Sequence, residues 1–425
     1  MGLYRPEFET QSAERLATHQ LARLNQLLTR LLPGNRFYAG LLGAQAPVRD
    51  WSDYRRLPLT TKAMLVRDQA TLPPFGTIAT YAPEAYTAYH QTSGTTGAPL
   101  AVIDTPESWA WWAECWRYVY AAAGVGPADR IFLAFSFGPF IGFWAAYAGA
   151  QALGAAVIPG GGLDSASRLA LMARAQATVL VSTPTYALRL AEVAQDTGRA
   201  LGDLGVRATV HAGEPGASIP AVRDRIEAAW RAACYDHAGG TEVGAYAMPC
   251  PQRDGLHLNE VEFIGEVLDP DTLAPVEDGA VGELVLTNLG RPGWPVIRYR
   301  TGDLVRSGGR ACPCGRTLLK LPGGLLGRAD DLLVVRGINI YPSAIEAIVR
   351  EFDVQEFRIV RRRRHAMDDL LIEVESAADV PARLAGAFRQ RLGLRLDTAA
   401  VPAGSLPRFE MKARRVVDER SSGDA

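Results

Sequence analysis

Gln91-Thr92-Ser93-Gly94-Thr95-Thr96-Gly97-Ala98-Pro99 is the stretch from which this chain is best read, and apolar Leu100-Ala101-Val102-Ile103 follows it at once. Six of its nine residues are serine, threonine or glycine. Glycines let consecutive backbone N–H groups turn into one concavity, because no Cβ opposes a positive φ. Hydroxyls add neutral donors that can follow phosphate oxygens. No Gly-Lys-Ser/Thr follows, so this is not a Walker loop. A flexible Ser/Gly linker is the plain alternative, but the apolar run behind it reads as a strand. A hairpin of this composition entering a strand is a candidate nucleotide loop.

Outward from that loop the pattern is βα. Arg130–Phe135, Ala155–Pro159, Thr178–Val181 and Ala208–Ala212 read as strands, with helices at Ile141–Leu153, 165–175 and before 208. Strands alternating with helices predict a mostly parallel sheet covered on both faces. Upstream, leucines at helical spacing predict an amphipathic helix over 11–32, closed by Pro33-Gly34. Leu57-Pro58-Leu59-Thr60-Thr61-Lys62 reads as a loop with Thr60 or Thr61 capping the next helix. The aromatic run at 106–123 reads as a core helix rather than an aromatic ligand box. After residue 260 short alternating strands with Gly/Asp/Pro turns, such as Phe263–Leu268 and Gly282–Thr287, predict an antiparallel, barrel-like region. Gly323-Gly324-Leu325-Leu326-Gly327 is the linker candidate. Beyond it, helices at 342–351 and 381–391 and strands at 355–363 and 369–375 predict a small α+β domain. The fold class is therefore α/β. A large domain over 1–327, with a β-rich part at about 250–325, precedes a small mobile α+β domain over 328–425.

Length and charge bound the function. At 425 residues more than one core is expected. A formal net charge of −1 gives no electrostatic case for nucleic acid or an anionic membrane. Met1–Gln20 carries charges throughout and lacks an apolar signal core, and no run of about 18 uncharged apolar residues occurs. Five cysteines without a signal segment argue for a reducing compartment, so the expected localisation is cytoplasmic. Only Lys62, Lys320 and Lys412 are lysines among 45 basic residues; either a compact ammonium is wanted there over a planar guanidinium, or the three survive by chance. The run Arg361–Arg364 reads as a solvated strand end before it reads as a phosphate site.

Further stretches fit the glycine-rich loop. Asp236-His237-Ala238-Gly239-Gly240-Thr241-Glu242 sets a Thr-Glu pair beside glycines, where the carboxylate can hold Mg²⁺ and the hydroxyl can meet a phosphate oxygen. Tyr299-Arg300-Thr301-Gly302-Asp303 puts an acid in a turn, suited to vicinal ribose hydroxyls, and Gly327-Arg328-Ala329-Asp330-Asp331 lies at the linker. Singly, each is a common turn sequence. In this order, with Ala212-Gly213-Glu214-Pro215 and Cys312-Pro313-Cys314-Gly315-Arg316, they resemble the ANL superfamily of adenylating enzymes, and within it the phenylacetate–CoA ligase branch, from about residue 50 to 418.

The resemblance implies roles. Thr92, Ser93, Gly94, Thr95, Thr96 and Gly97 would hold the ATP phosphates, with Gly213, Glu214, Pro215 and His237 also at the nucleotide. Asp236 would face the adenine amino group, Thr241 the α-phosphate, Glu242 the Mg²⁺, and Asp303 the ribose, with Arg328 assisting. Asp330 would be the hinge, Gly337 would line the thiol tunnel, and Lys412 would bridge carboxylate and phosphate in the adenylation transition state. By family position Phe137, Gly138, Ala212, Ala238 and Gly239 would wall the acid pocket. Gly142 leaves further room there, and His211, His237 or Ser136 could read a ring substituent. Three departures stand out: Ala98 where lysine is common, Ala238 at the usual aromatic position, and Met411 where glycine is usual.

The chemistry implied is complete as physics. A carboxylate is a poor acyl donor; attack on the α-phosphate makes a mixed anhydride, which a thiol then opens. The first step needs aligned oxygens and screened charge, the second needs the screening cation gone, and a mobile small domain serves both. The expected substrates are an aromatic carboxylic acid, ATP and coenzyme A. The alternatives are the phosphopantetheine of an acyl carrier protein or an amine as acceptor, or a non-catalytic nucleotide-binding protein. Members of the family are often homodimers. Separately, Cys250, His257, Cys312 and Cys314 offer three thiolates and one imidazole, the donor set of a closed zinc site. Four unrelated residues is the alternative, C-x-C being a less usual spacing than C-x-x-C. Cys115 and Cys234 read as buried thiols.

Overall fold

The structure, a computed structural model, describes residues 2–92, 99–335, 338–364, 367–409 and 413–420. Its centre is a five-stranded, all-parallel sheet in the order Ala156–Pro159, Arg130–Leu133, Val179–Ser182, Ala208–His211, Ala233–Asp236. Alternate strand residues enter different cores. Ile131, Leu133, Val179 and Val181 join one hydrophobic cluster, whereas Phe132, Leu180 and Cys234 join another. Both faces are thus dry, as a parallel sheet requires. The order is that of a doubly wound sheet, which places ligand sites beyond the carboxyl ends of the strands.

The expected helices form for the reasons read in the sequence. Ser12 caps Ala13–Leu31, and Thr61 caps Lys62–Thr71 by accepting from Met64 N. Thr105 caps Pro106–Ala122, whose Trp111, Trp112, Trp116, Tyr118 and Tyr120 are buried core residues. The antiparallel part is laid out as two four-stranded sheets. One runs Lys320–Pro322, Gly255–Leu258, Gly244–Pro249, Ala238–Gly240, and the other Phe263–Leu268, Val281–Asn288, Tyr299–Arg306, Leu325–Arg328.

The linker candidate has more structure than its glycines suggest. Gly323 and Gly324 make the turn, with φ of 76° and 68°, but Leu325–Arg328 pairs with Tyr299–Arg306 as an edge strand. Its leucines supply what the sheet needs and its glycines hide it. Beyond lies a third hydrophobic cluster, drawn from Leu333 to Leu396 and separate from the other two. It underlies a sheet ordered Asp397–Val401, Met367–Ser376, Val354–Arg364, Val416–Asp418. The arginine run belongs to this sheet, and three of its members are paired there: Arg361 lies 3.7 Å from Asp418, Arg362 3.2 Å from Asp369, and Arg363 3.8 Å from Asp368. No helix among the described residues is long and apolar enough to cross a membrane.

Candidate active site

The carboxyl edge of the parallel sheet gathers the motifs. Gln91 and Ala101 are paired across a hairpin, and Thr92 closes its mouth. Thr92 N donates to Leu100 O at 3.0 Å, and Leu100 N donates to Thr92 Oγ1 at 3.0 Å. The loop is therefore pinned at its base. Ser93, Gly94, Thr95, Thr96 and Gly97, with Ala98, lie outside the described residues, as do Gly337, Met411 and Lys412.

Asp236 ends the last parallel strand, and its carboxylate accepts from Ser218 Oγ and, at 3.0 Å, from His237 N. Burial pushes this carboxyl up to about 6 despite those bonds. The neighbouring His237 is buried too, pushed down to about 4, with Nδ1 2.7 Å from Ala247 O and its ring 4.5 Å from that of Trp116. It is a neutral, donating imidazole near neutral pH.

Thr241 and Glu242 occupy the turn between the strands Ala238–Gly240 and Gly244–Pro249. Behind that turn stands Arg291, wholly buried against Asp104 with bonds of 2.7 and 2.6 Å. Its remaining nitrogen donates to the carbonyls of Thr241 at 3.2 Å and Glu242 at 3.1 Å. The Glu242 carboxylate meets the Lys62 ammonium at 3.2 Å. Lys62 is brought there because Thr60 bridges to the strand at Tyr299: Thr60 N donates to Arg298 O and Arg300 N donates to Thr60 O, each at 2.9 Å.

Asp303 lies inside the strand Tyr299–Arg306, not in the turn its sequence suggests: the pairing with Val281–Asn288 is irregular there, and Gly302 takes a φ of +75°, where an added Cβ would stand 2.7 Å from Arg328 Nη2. The positive φ favours glycine there. Tyr246 donates to Asp303 Oδ2 at 2.7 Å, and Arg328 donates to Oδ1 at 3.1 Å. Asp330 lies in the short helical turn Ala329–Asp331 that follows.

The acid-pocket candidates lie along the same edge. Phe137 sits 4.9 Å from Trp144 and 6.3 Å from Tyr147, and Gly138 O accepts from Trp144 Nε1 at 2.9 Å. Ala212 is held by Ser182 O, Gly213 turns with φ of 95°, Ala238 is buried and Gly239 is exposed. The Glu214 carboxylate accepts from Thr185 N at 2.9 Å and from Ala413 N at 2.7 Å. Sequence reasoning found the acids but not Asp104, Arg291, Tyr246 or Ser218, whose only signal is long-range proximity.

Away from this edge, Cys250, His257, Cys312 and Cys314 come together with their ligand atoms within 4.8 Å of one another. Cys250 and Cys312 sulfurs are 3.6 Å apart, and Cys314 Sγ is 3.4 Å from His257 Nε2. His257 Nδ1 lies 3.1 Å from Leu318 O, which turns a bare Nε2 towards the thiols. Lys320 Nζ is 3.8 Å from Cys312 Sγ and Arg316 Nη1 is 4.0 Å from Cys314 Sγ, so cations back two of the sulfurs.

Residues 53–290 match the AMP-binding enzyme family, and residues 337–420 match the AMP-binding enzyme C-terminal domain. The chain belongs to the AMP-binding enzyme family. The phenylacetate-coenzyme A ligase of Thermus thermophilus is 33% identical over 98% of this chain and 100% of its own. That of Escherichia coli is 32% identical over 97% of each. A solved 2-hydroxyisobutyryl-CoA ligase in the postadenylation state, in complex with 2-HIB-AMP, superimposes with a TM-score of 0.93 at 31% identity, covering 99% of this chain and 93% of that one. The same ligase in the thioesterification state, with 2-HIB-AMP and CoA, gives 0.75 at 32% identity over the same shares. The chain thus superimposes more closely on the postadenylation structure of that ligase than on its thioesterification structure.

Proposed function

We propose that this chain is an AMP-forming acid–coenzyme A ligase that activates an aromatic carboxylic acid through its acyl-adenylate. The ligase class rests on the family and on CoA ligases related over nearly the whole chain. The observation that carries the reading is the convergence of Asp236, Thr241, Glu242 and the Asp303–Arg328 pair beyond the carboxyl end of the last parallel strand, around Tyr246 and Tyr299.

In this reading ATP lies along that edge. Asp236 and His237, with Ala212, Gly213 and Pro215, receive the adenine, whereas the Glu214 carboxylate, which the resemblance set at the nucleotide, is taken up by the N–H groups of Thr185 and Ala413; Asp303 accepts from the ribose hydroxyls while Arg328 and Tyr246 fix its orientation; Thr241 meets the α-phosphate; the loop from Thr92 to Gly97 wraps the outer phosphates. Glu242 fits a Mg²⁺ site, being an acid on a turn whose carbonyls Arg291 immobilises; the ion would take the place the Lys62 ammonium now holds against that carboxylate and would screen phosphate charge. The acid is held in line beside Phe137, Gly138, Ala212, Ala238 and Gly239, and Lys412 supplies the ammonium for the first step. The domain boundary falls near 327–328, with Asp330 as hinge. The small domain then turns, Lys412 leaves, and Gly337 lines the path of the thiol. Five free cysteines suit a reducing, cytoplasmic setting.

The Cys250, His257, Cys312 and Cys314 cluster fits structural zinc: four inward ligand atoms, a fixed imidazole tautomer and backing cations. The ion would staple loops some 60 residues apart in sequence. Protein purified without chelator should carry about one equivalent of zinc, and none would remove the site.

Acid-dependent ATP–pyrophosphate exchange tests the function. Benzoates, anthranilates, hydroxybenzoates and arylacetates should support it, and fatty acids should not. A short branched hydroxy acid belongs in the same panel, because the 31%-identical solved relative is a 2-hydroxyisobutyryl ligase; exchange with it alone would replace the aromatic assignment. CoA against a holo carrier protein then identifies the acceptor. Silence with every acid, from folded protein with Mg²⁺, would favour a non-catalytic nucleotide binder.

A further inference from the structure

We propose that Glu214 is a positioning residue for the adenylation step: its carboxylate clamps the chain just beyond Lys412 to the large body and is released when the small domain turns. This rests on the reading above for the role of Lys412 and for the turn.

The clamp is built from both sides of the seam. Glu214 lies in the loop that leaves the strand Ala208–His211, and Gly213 before it makes the bend. Thr183 caps the helix Pro184–Asp196 by accepting from Tyr186 N, leaving the N–H of Thr185 without a partner inside the helix. One oxygen of Glu214 accepts that N–H at 2.9 Å, and the other accepts the N–H of Ala413 at 2.7 Å. A single carboxylate therefore joins the first turn of a large-body helix to the residue next in the chain after Lys412. A second tie runs beside it. Arg415 reaches Thr185 Oγ1 at 3.3 Å and is itself held by Glu356 at 2.7 Å and Glu346 at 3.1 Å, on a strand and a helix of the small domain.

The chemistry suits a contact made to be broken. Ala413 contributes only backbone, so nothing on its side chain must find a new partner after release. The Glu214 carboxyl is pushed up from its usual value chiefly by burial, so burial opposes the charge the clamp uses. The arrangement described matches the postadenylation form of the solved relative far better than its thioesterification form, which is the state a clamp beside Lys412 would hold.

Glu214→Gln keeps the volume but offers one acceptor oxygen where two donors converge, and Glu214→Asp keeps the charge but is one methylene short. Two half-reactions separate the roles: ATP–pyrophosphate exchange, and thioester formation from preformed acyl-adenylate and CoA. Losing a charge-assisted bond at this position should slow exchange by roughly 10-fold or more in both variants. Thioester formation should stay within about twofold, and the amide of Ala413 should exchange with deuterium roughly 10-fold faster in ligand-free protein. Equal losses in both half-reactions, or unchanged exchange protection at Ala413, would overturn the clamp. Amide protection reads out whether or not the wild type activates any acid in the panel, so failure of the ligase reading and failure of the clamp are told apart.

Discussion

Two charged assemblies stand behind the candidate active site, and they are built for opposite ends. Asp104 and Arg291 are both wholly buried, join elements of one body, and carry two further bonds into the Thr241–Glu242 turn. Glu214 and Arg415 span the seam between two bodies and hold backbone N–H and hydroxyl groups across it. The first has no moving part. A guanidinium that desolvated survives only with every donor satisfied, and it then fixes the carbonyls it touches before any ligand arrives. The second uses partners that water can replace. Preorganisation and release are thus assigned to different residues.

Breaking the rigid assembly should have the largest effect. Arg291→Met leaves Asp104 buried without its partner and should cost about 3–5 kcal/mol of stability in urea unfolding. Adding Asp104→Leu should recover much of that loss; if the single and double variants unfold alike, the pair is not what holds the turn.

Next in size is the pH dependence at Asp236, which separates a buried acid from a clamped one. Its carboxyl is near 6 when folded and near 3.8 when unfolded, so the native state alone holds the proton between those values. Stability from this group is present below about 3.8 and lost as pH rises through 6. The stability gap between Asp236→Asn and wild type should therefore move by roughly 3 kcal/mol from about pH 3.5 to 7, in favour of the variant at pH 7. A gap flat with pH would mean that Asp236 titrates normally.

A smaller effect is expected at Asp303, proposed above to hold the ribose. Asp303→Asn keeps the shape but weakens bonds from Tyr246 and Arg328, and should raise the KM for ATP about 10-fold with little change in the melting temperature. Least of all, Lys62→Ala should change stability by under about 1 kcal/mol, because its pair with Glu242 is half exposed. A larger loss would place Lys62 with Arg291 as scaffolding.

The legibility of these parts in sequence follows from how local their signals are. The helix Ile141–Leu153 has the bounds its sequence predicts, because buried Ile141, Ala145, Ala146, Gly149 and Ala150 repeat along one face of the segment itself; the strand Phe263–Leu268 also has the expected bounds, although its burial does not alternate. The cysteine and histidine set was legible by donor chemistry alone and converges in space. The strand Leu325–Arg328 was not, since glycines that read as a linker also make the turn into a sheet edge. Nor were the supports. Ser218 is 18 residues from Asp236, Tyr246 is 57 from Asp303, and Ala413 is 199 from Glu214. No periodicity links such partners, and each residue type is common elsewhere.

What the sequence determined by itself was the alternation of strands and helices, the order of the nucleotide motifs and the donor set of the cysteine cluster. These rest on backbone preference, on the spacing of apolar residues and on functional-group chemistry, all local properties. Only the tertiary structure decided which groups hold the functional ones. It set a buried guanidinium behind the Thr241–Glu242 turn, an ammonium against Glu242, and the two oxygens of Glu214 between two bodies. The physical reason is that a buried polar group must be paired wherever the packing brings a donor, and packing is settled by the whole chain.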